Sequence, residues 1–285
     1  MKILVATDFS SRSQRALRRA CLLARDIAAE LTLVHVVDDD QPLAKVELES
    51  REAQRYLEEQ TGSIAELRGF QCESAVVTGD PFSGILRAAS ARAVDLIVMG
   101  AHRKQLLRDI FVGTTIERVI RTGPFPVLMV NAEVEHSYKK ILAAVDMSES
   151  SARGIKAASE IGLIDDVDLS LVHGFHAFAK GKMSNAGLGK AEIARYVAEE
   201  RLRVGTELVA FLEANGLGVD NWSLRIKEAG AVEAIREAVQ EIAPDLLVMG
   251  THGRSGLLKV LLGSVTENIL RSIDVDVLAV PPIRT

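Results

Sequence analysis

Residues 2–10 read KILVATDFS and residues 140–148 read KILAAVDMS. Each is a short aliphatic run that closes on an aspartate and then a serine, so Asp8 matches Asp146. The matching continues along the chain. LTLVHVV (31–37) pairs with LSLVHGF (169–175) at the same offset. DLIVMG (95–100) pairs with DLLVMG (245–250), GTTIERVIR (113–121) with GSVTENILR (263–271), and PFPVLMV (124–130) with DVDVLAV (274–280), all at one larger offset. Five ordered matches make the chain a tandem repeat. The copies are expected to form domains at 1–132 and 139–285, joined by the short polar stretch NAEVEHSYK (131–139). The extra residues of the second copy fall around AKGKMSNAGLGK (179–190), whose small, polar, glycine-bearing composition suits a mobile surface loop.

Within the first copy, the runs at 2–7, 31–37, 73–77, 94–99 and 126–130 are rich in Val, Ile and Leu and flanked by turn residues, as buried parallel strands are. Segments of helical period separate them. SRSQRALRRACLLARDIAAE (11–30) is one, with Ser or Asp near its start for capping. The alternation predicts an α/β chain of two tandem Rossmann-like domains, each an open five-stranded parallel sheet with helices on both faces and right-handed crossovers. Such sheets take ligands at the carboxyl ends of their strands, where strand order reverses. The final strands, 126–130 and 276–280, are expected to pair with each other and so cover two exposed edges.

Bulk properties set the outer limits. A chain of 285 residues with 48% hydrophobic content is natural for two domains with real cores. A net charge of −5 gives no support to a nucleic-acid or anionic-membrane partner. Cys21 and Cys72 fit no metal or redox spacing and point to a reducing compartment. The N-terminus runs straight into a strand, with no room for the apolar stretch of a signal peptide. No apolar run approaches the roughly 18–20 residues a membrane span needs. The expectation is a soluble cytoplasmic protein.

Two strand ends carry candidate chemistry in each copy. The first strand ends at Asp8 or Asp146, the fourth at Met99-Gly100 or Met249-Gly250. If these strands flank the switch point, the ends become neighbours, and the aspartate can accept hydrogen bonds from a sugar hydroxyl or an amine. The competing reading of the aspartate is a helix N-cap. Gly250, Gly253, Gly263 and Ser264 follow the spacing G-x-x-G-(nine)-G-S, with Arg254 beside the second glycine. Glycine lets the backbone approach a ligand and take positive φ. Gly263-Ser264 opens a helix-period segment, and a helix start is a seat for phosphate, with Ser264 and Thr266 offering hydroxyl donors.

These residues carry a resemblance. The whole chain resembles a tandem universal stress protein, through Ala144-Val145-Asp146, Leu171-Val172-His173 and MGTHGRSG…LLGSVTENIL (249–270). The resemblance implies ATP, with Mg2+, as ligand of the second copy: Asp146 near the nucleoside, Gly174 at the adenine edge, and Met249, Gly250, His252, Gly253, Gly263, Ser264, Val265 and Thr266 about the ribose and phosphates. Many members have valine where this chain has Gly174. In the first copy Asp8, Val36, Met99, Gly100, Gly113 and Thr114 fit the pattern, but Arg103 replaces the second glycine. If that position were left-handed, arginine would cost on the order of 1–2 kcal/mol there. Arginine is also a strong phosphate ligand, so it either erases the first site or rebuilds it.

Other features are set aside. His35 and His173, like His102 and His252, repeat between copies without metal-ligand spacing. Lys182-Met183-Ser184 echoes a synthetase loop whose companion motif is missing, and no GxxxxGK[ST] loop occurs. RALRR (15–19) reads as the solvated face of a helix. No carboxylate is obviously aimed at an attacking water, so catalysis would be at most weak ATP hydrolysis. The expected function is an ATP-binding, nucleotide-responsive stress regulator acting through its second domain. Its partners would be an adenine nucleotide and a protein that reads the bound state. The fused pair would form a pseudo-dimer that dimerises again. A slow ATPase and a nucleotide-independent scaffold are the alternatives.

Overall fold

The computed structural model describes residues 1–63, 72–101, 114–218, 221–253 and 262–282. The first half runs β1 (Lys2–Ala6), α1 (Ser11–Ile27), β2 (Glu30–Val37), α2 (Leu43–Ser63), β3 (Cys72–Thr78), α3 (Pro81–Arg92), β4 (Leu96–Gly100), α4 (Thr115–Thr122) and β5 (Val127–Val130). The second runs β6 (Lys140–Ala144), α5 (Glu149–Glu160), β7 (Asp168–Gly174), α6 (Lys180–Asn185), α7 (Lys190–Ala214), β8 (Ser223–Lys227), α8 (Ala231–Ile242), β9 (Leu246–Gly250), α9 (Ser264–Ser272) and β10 (Asp276–Val280). Strand order is β3-β2-β1-β4-β5-β10-β9-β6-β7-β8 in one continuous ten-stranded sheet. Pairing is parallel within each half and antiparallel at the seam, where Val277, Leu278 and Ala279 face Met129, Leu128 and Val127. The expected pairing of the last strands is therefore present.

The period-two alternation of the strands divides the interior into two layers. Val5, Leu33, Val98, Leu128, Ala143, Leu171, Val248 and Leu278 point to one face, under α1, α2, α5 and α7. Leu4, Val34, Ile97, Met129, Leu142, Val172, Leu247 and Val277 point to the other, under α3, α4, α8 and α9. Both layers run across the seam without a break, so the halves share their cores.

Two expectations change. The stretch 179–190 is not a plain loop. It contains α6, whose Lys180 Nζ binds both carboxylate oxygens of Glu228 at 2.9 and 3.0 Å, and Gly187 (φ 77°) makes the turn toward α7. Nor is RALRR a solvated face. Arg19 is buried and ion-pairs with the fully buried Asp276 at 3.2 Å, while Arg15 donates to the Asn131 carbonyl at 2.8 Å. Helical spacing puts both on the side of α1 that meets the segment between the halves, which composition cannot reveal. No helix among the described residues is long and apolar enough to cross a membrane.

Candidate functional site

The strand order sets β1 beside β4 and β6 beside β9, so each aspartate loop lies next to a glycine-bearing strand end. After β1 the chain turns at Phe9 and after β6 at Met147, both left-handed, with φ of 61° and 59°. Non-glycine residues hold that conformation at a cost of order 1–3 kcal/mol, so the surrounding contacts must fix it. They are visible. Asp8 Oδ1 accepts from the Ser10 backbone N–H at 3.0 Å and from its hydroxyl, and Asp146 does the same with Ser148. Ser10 and Ser148 are the N-caps of α1 and α5. The aspartates are thus not the caps themselves but hold them. Burial would push the Asp8 carboxyl up, yet hydrogen bonds from Ser10 and Ser13, with Arg12 nearby, outweigh it and keep the group below its usual range. His35 and His173 also find a place: each Nδ1 lies against the carbonyl just before its aspartate, Thr7 at 2.9 Å and Val145 at 2.7 Å.

The glycines act chiefly by leaving room. A Cβ on Gly250 would lie 2.5 Å from Ser150 Oγ and 2.6 Å from its carbonyl oxygen. One on Gly100 would lie 2.5 Å from the Arg12 carbonyl oxygen. Both therefore let the first turn of α5 or α1 settle onto the strand end. Gly253 does not have positive φ, so the second copy does not need a left-handed backbone at this position; its counterpart Arg103 lies outside the described residues. The constraint is spatial, since a Cβ on Gly253 would stand 2.9 Å from Asp146 Oδ2. The loop is closed at its base by Gly263 N–H donating to the Thr251 carbonyl at 2.9 Å.

Each half has a cavity here. The second, of about 350 Å3, is lined by Ala144, Val145, Asp146, Gly174, Met249, Gly250, His252, Gly253, Gly263, Ser264, Val265 and Thr266. Every sequence candidate for this copy is among them except Arg254, which lies outside the described residues. The first cavity, of about 480 Å3, gathers Asp8, Val36, Met99, Gly100 and Thr114. His102, Arg103 and Gly113 lie outside the described residues. Thr266 departs from its expected part: its hydroxyl donates to the Gly250 carbonyl at 3.1 Å, tying α9 to the end of β9.

The helix starts differ. Thr114 caps α4 by accepting from Glu117 N–H, whereas Gly263 leaves α9 with no side-chain cap. The first cavity also meets Arg12 and Arg118, where the second half carries Ser150 and Asn268. Sequence reasoning missed these arginines, together with Ser151, Ala231, Ala234 and Ile235 of the second cavity. Ser151 could have been found as the repeat partner of Ser13; the α8 residues carry no signal beyond helical period. The departure at Gly174 is explained by the chain entering α8 and the first turn of that helix. A Cβ there would lie 2.8 Å from the Ala229 carbonyl oxygen and 3.1 Å from Ala234 Cβ. In the first half the pair is inverted, with Val36 opposite Gly84.

Fold and cavities together define a tandem Rossmann-like protein with two repeat-related sites at its switch points. The model of the universal stress protein family matches the chain twice, over residues 1–131 and 137–281. The chain belongs to the universal stress protein family. It is 25% identical over 300 residues to universal stress protein E of Salmonella typhi, across 98% of this chain and 94% of that protein. A universal stress protein of Methanocaldococcus jannaschii is 32% identical over 139 residues, covering 45% of this chain and 81% of the other. The crystal structure of a universal stress protein from Archaeoglobus fulgidus superposes with a TM-score of 0.71 at 20% identity, over 98% of both chains, a likeness of fold.

Proposed function

We propose that the second domain, 139–285, binds ATP and that the protein serves as a nucleotide-responsive module of the stress response, the first domain, 1–132, carrying an altered site. One observation carries this reading. In the second cavity, Gly253 keeps a side chain out of the space before Asp146, Gly250 and Gly263 let α5 and the base of the loop close in around it, and the start of α9 has no side-chain cap among the described residues. Uncapped N–H groups and the helix dipole suit a phosphate. Asp146 offers a carboxylate to a sugar hydroxyl, and Val172, Ala231, Ala234 and Ile235 give an apolar wall for a base. A volume of about 350 Å3 is in the range of small-molecule sites. Mg2+ would ride mainly on the phosphates, because the described residues hold no cluster of three carboxylate, imidazole or thiolate groups. Binding without an evident general base favours a sensing role over rapid hydrolysis, with a protein partner in the cytoplasm reading the loaded state.

Calorimetric titration of nucleotide-stripped protein with Mg-ATP tests it. One site per chain is expected, weakened about tenfold or more in Gly253→Arg, whose side chain must enter the space before Asp146. Two sites would give the first domain a working site as well. No binding, or binding indifferent to Gly253→Arg, overturns the reading.

A further inference from the structure

The two helices that start at the cavities meet across the seam. Arg271, in the last turn of α9, sets Nε 3.1 Å from Glu117 Oε1 and Nη2 3.4 Å from Glu117 Oε2. Its Nη2 also lies 2.8 Å from Glu267 Oε1. Glu117 belongs to the first turn of α4 and Glu267 to the first turn of α9. Glu117 is nearly buried, with its side chain 12% exposed, and its own N–H is the one capped by Thr114, a residue of the first cavity. One guanidinium thus holds two carboxylates, each in the first turn of a helix whose opening residues line a cavity.

A carboxylate in a first helical turn suits the helix but repels any anion seated at the same end. We propose that Arg271 is a charge-balancing residue shared by the two sites, so that the first half, through Glu117, tunes how tightly the second holds phosphate. The argument rests on the second cavity being an ATP site. With Glu117 present, the Arg271 charge is divided between two acids; without it, that charge falls wholly on Glu267 and the start of α9 becomes more positive. Without Arg271, both acids lose the cation they share.

The variants Arg271→Gln and Glu117→Gln therefore move ATP affinity in opposite directions. A structural contribution to the seam would make both weaken it. The test is calorimetry of the full chain with Mg-ATP at about 50 mM and about 500 mM salt. At low salt Arg271→Gln is expected to weaken binding about two- to fivefold and Glu117→Gln to tighten it by a similar factor, the size of one charge acting at a helix terminus. Both differences should shrink at high salt, where screening acts within a few ångströms. If wild-type protein binds ATP but the variants match it, or shift together, this proposal falls and the ATP reading stands. If wild-type protein binds no ATP, both fall.

Discussion

The exchange of Val36–Gly84 in the first half for Gly174–Ala234 in the second offers a sharp test of how the repeats diverged. A Cβ added at Gly84 would lie 2.6 Å from Val36 Cγ1 and 3.0 Å from Cγ2. Ordinary carbon contacts need about 3.5–4.0 Å, so the valine would have to move by roughly 1 Å. Being β-branched and set in a strand, Val36 has little rotamer freedom to do so. Overpacking of this kind costs about 1–3 kcal/mol, against which Gly84→Ala gains up to about 1 kcal/mol of helix propensity within α3. Gly84→Ala alone should destabilise the protein by about 1 kcal/mol. In a Val36→Gly background the clash is absent, and the same change should stabilise by a similar amount. The coupling energy is then about 2 kcal/mol, within the range measured for residues in contact. Denaturant unfolding of the four proteins, monitored by circular dichroism, gives the cycle. Coupling below about 0.5 kcal/mol, with both single variants destabilised independently, would refute the claim that the two positions are one packing unit.

Two further predictions concern the seam. Asp276 has no exposed surface and accepts from Tyr138 Oη at 2.7 Å, Asn131 N–H at 2.8 Å and Ala132 N–H at 2.9 Å, besides its pair with Arg19. Asp276→Ala leaves the buried Arg19 without its anion and should cost about 3–5 kcal/mol, read as a lower urea midpoint; a loss under about 1 kcal/mol would contradict the assignment. Tyr138 is held well above its ordinary pKa, first by burial and then by the Asp276 charge. The folded phenol stays protonated where the unfolded one, near pH 10, ionises. Its contribution is therefore complete below about pH 10 and is lost above it, by up to about 1.4 kcal/mol per pH unit. Stability measured from pH 9 to 11 should fall more steeply in wild type than in Tyr138→Phe, and equal slopes would count against this reading.

What the sequence reveals about this chain follows the range of the interactions concerned. Strand runs such as DLIVMG and DLLVMG are legible because burial on both faces demands unbroken aliphatic side chains, and their repetition fixes the halves. The G-x-x-G-(nine)-G-S spacing locates the second cavity because close approach of backbone needs glycine. Which atom approaches is another matter. That Gly250 faces the first turn of α5, and Gly253 the Asp146 carboxylate, depends on elements about a hundred residues away. The N-cap question at Asp8 could not be settled from residue type, since aspartate and serine both cap helices and here serine caps while aspartate braces it. Arg12 and Arg118 of the first cavity are unremarkable in sequence because arginine on a helix usually reaches solvent.

The seam shows how fusion changes what a repeat must conserve. Part of it is symmetric: Arg15 donates to the Asn131 carbonyl at 2.8 Å, and its repeat partner Arg153 donates to the Pro281 carbonyl at 2.7 Å. Each half thus ties its first helix to the segment leaving its last strand. Part is not. The counterparts of Asp276 and Arg19 are Pro126 and Ala157, so the buried ion pair is made once. In a homodimer any such pair would appear twice, each with its own desolvation cost of several kcal/mol per ion. Here the segment connecting the halves passes Asp276, which binds Asn131, Ala132 and Tyr138 of that segment as well as Arg19. The extra partners offset the burial of the charge. At the repeat-related positions, Pro126 and Ala157 leave no charge to satisfy. The asymmetry that obscured RALRR in the sequence is thus the signature of one polypeptide doing the work of two.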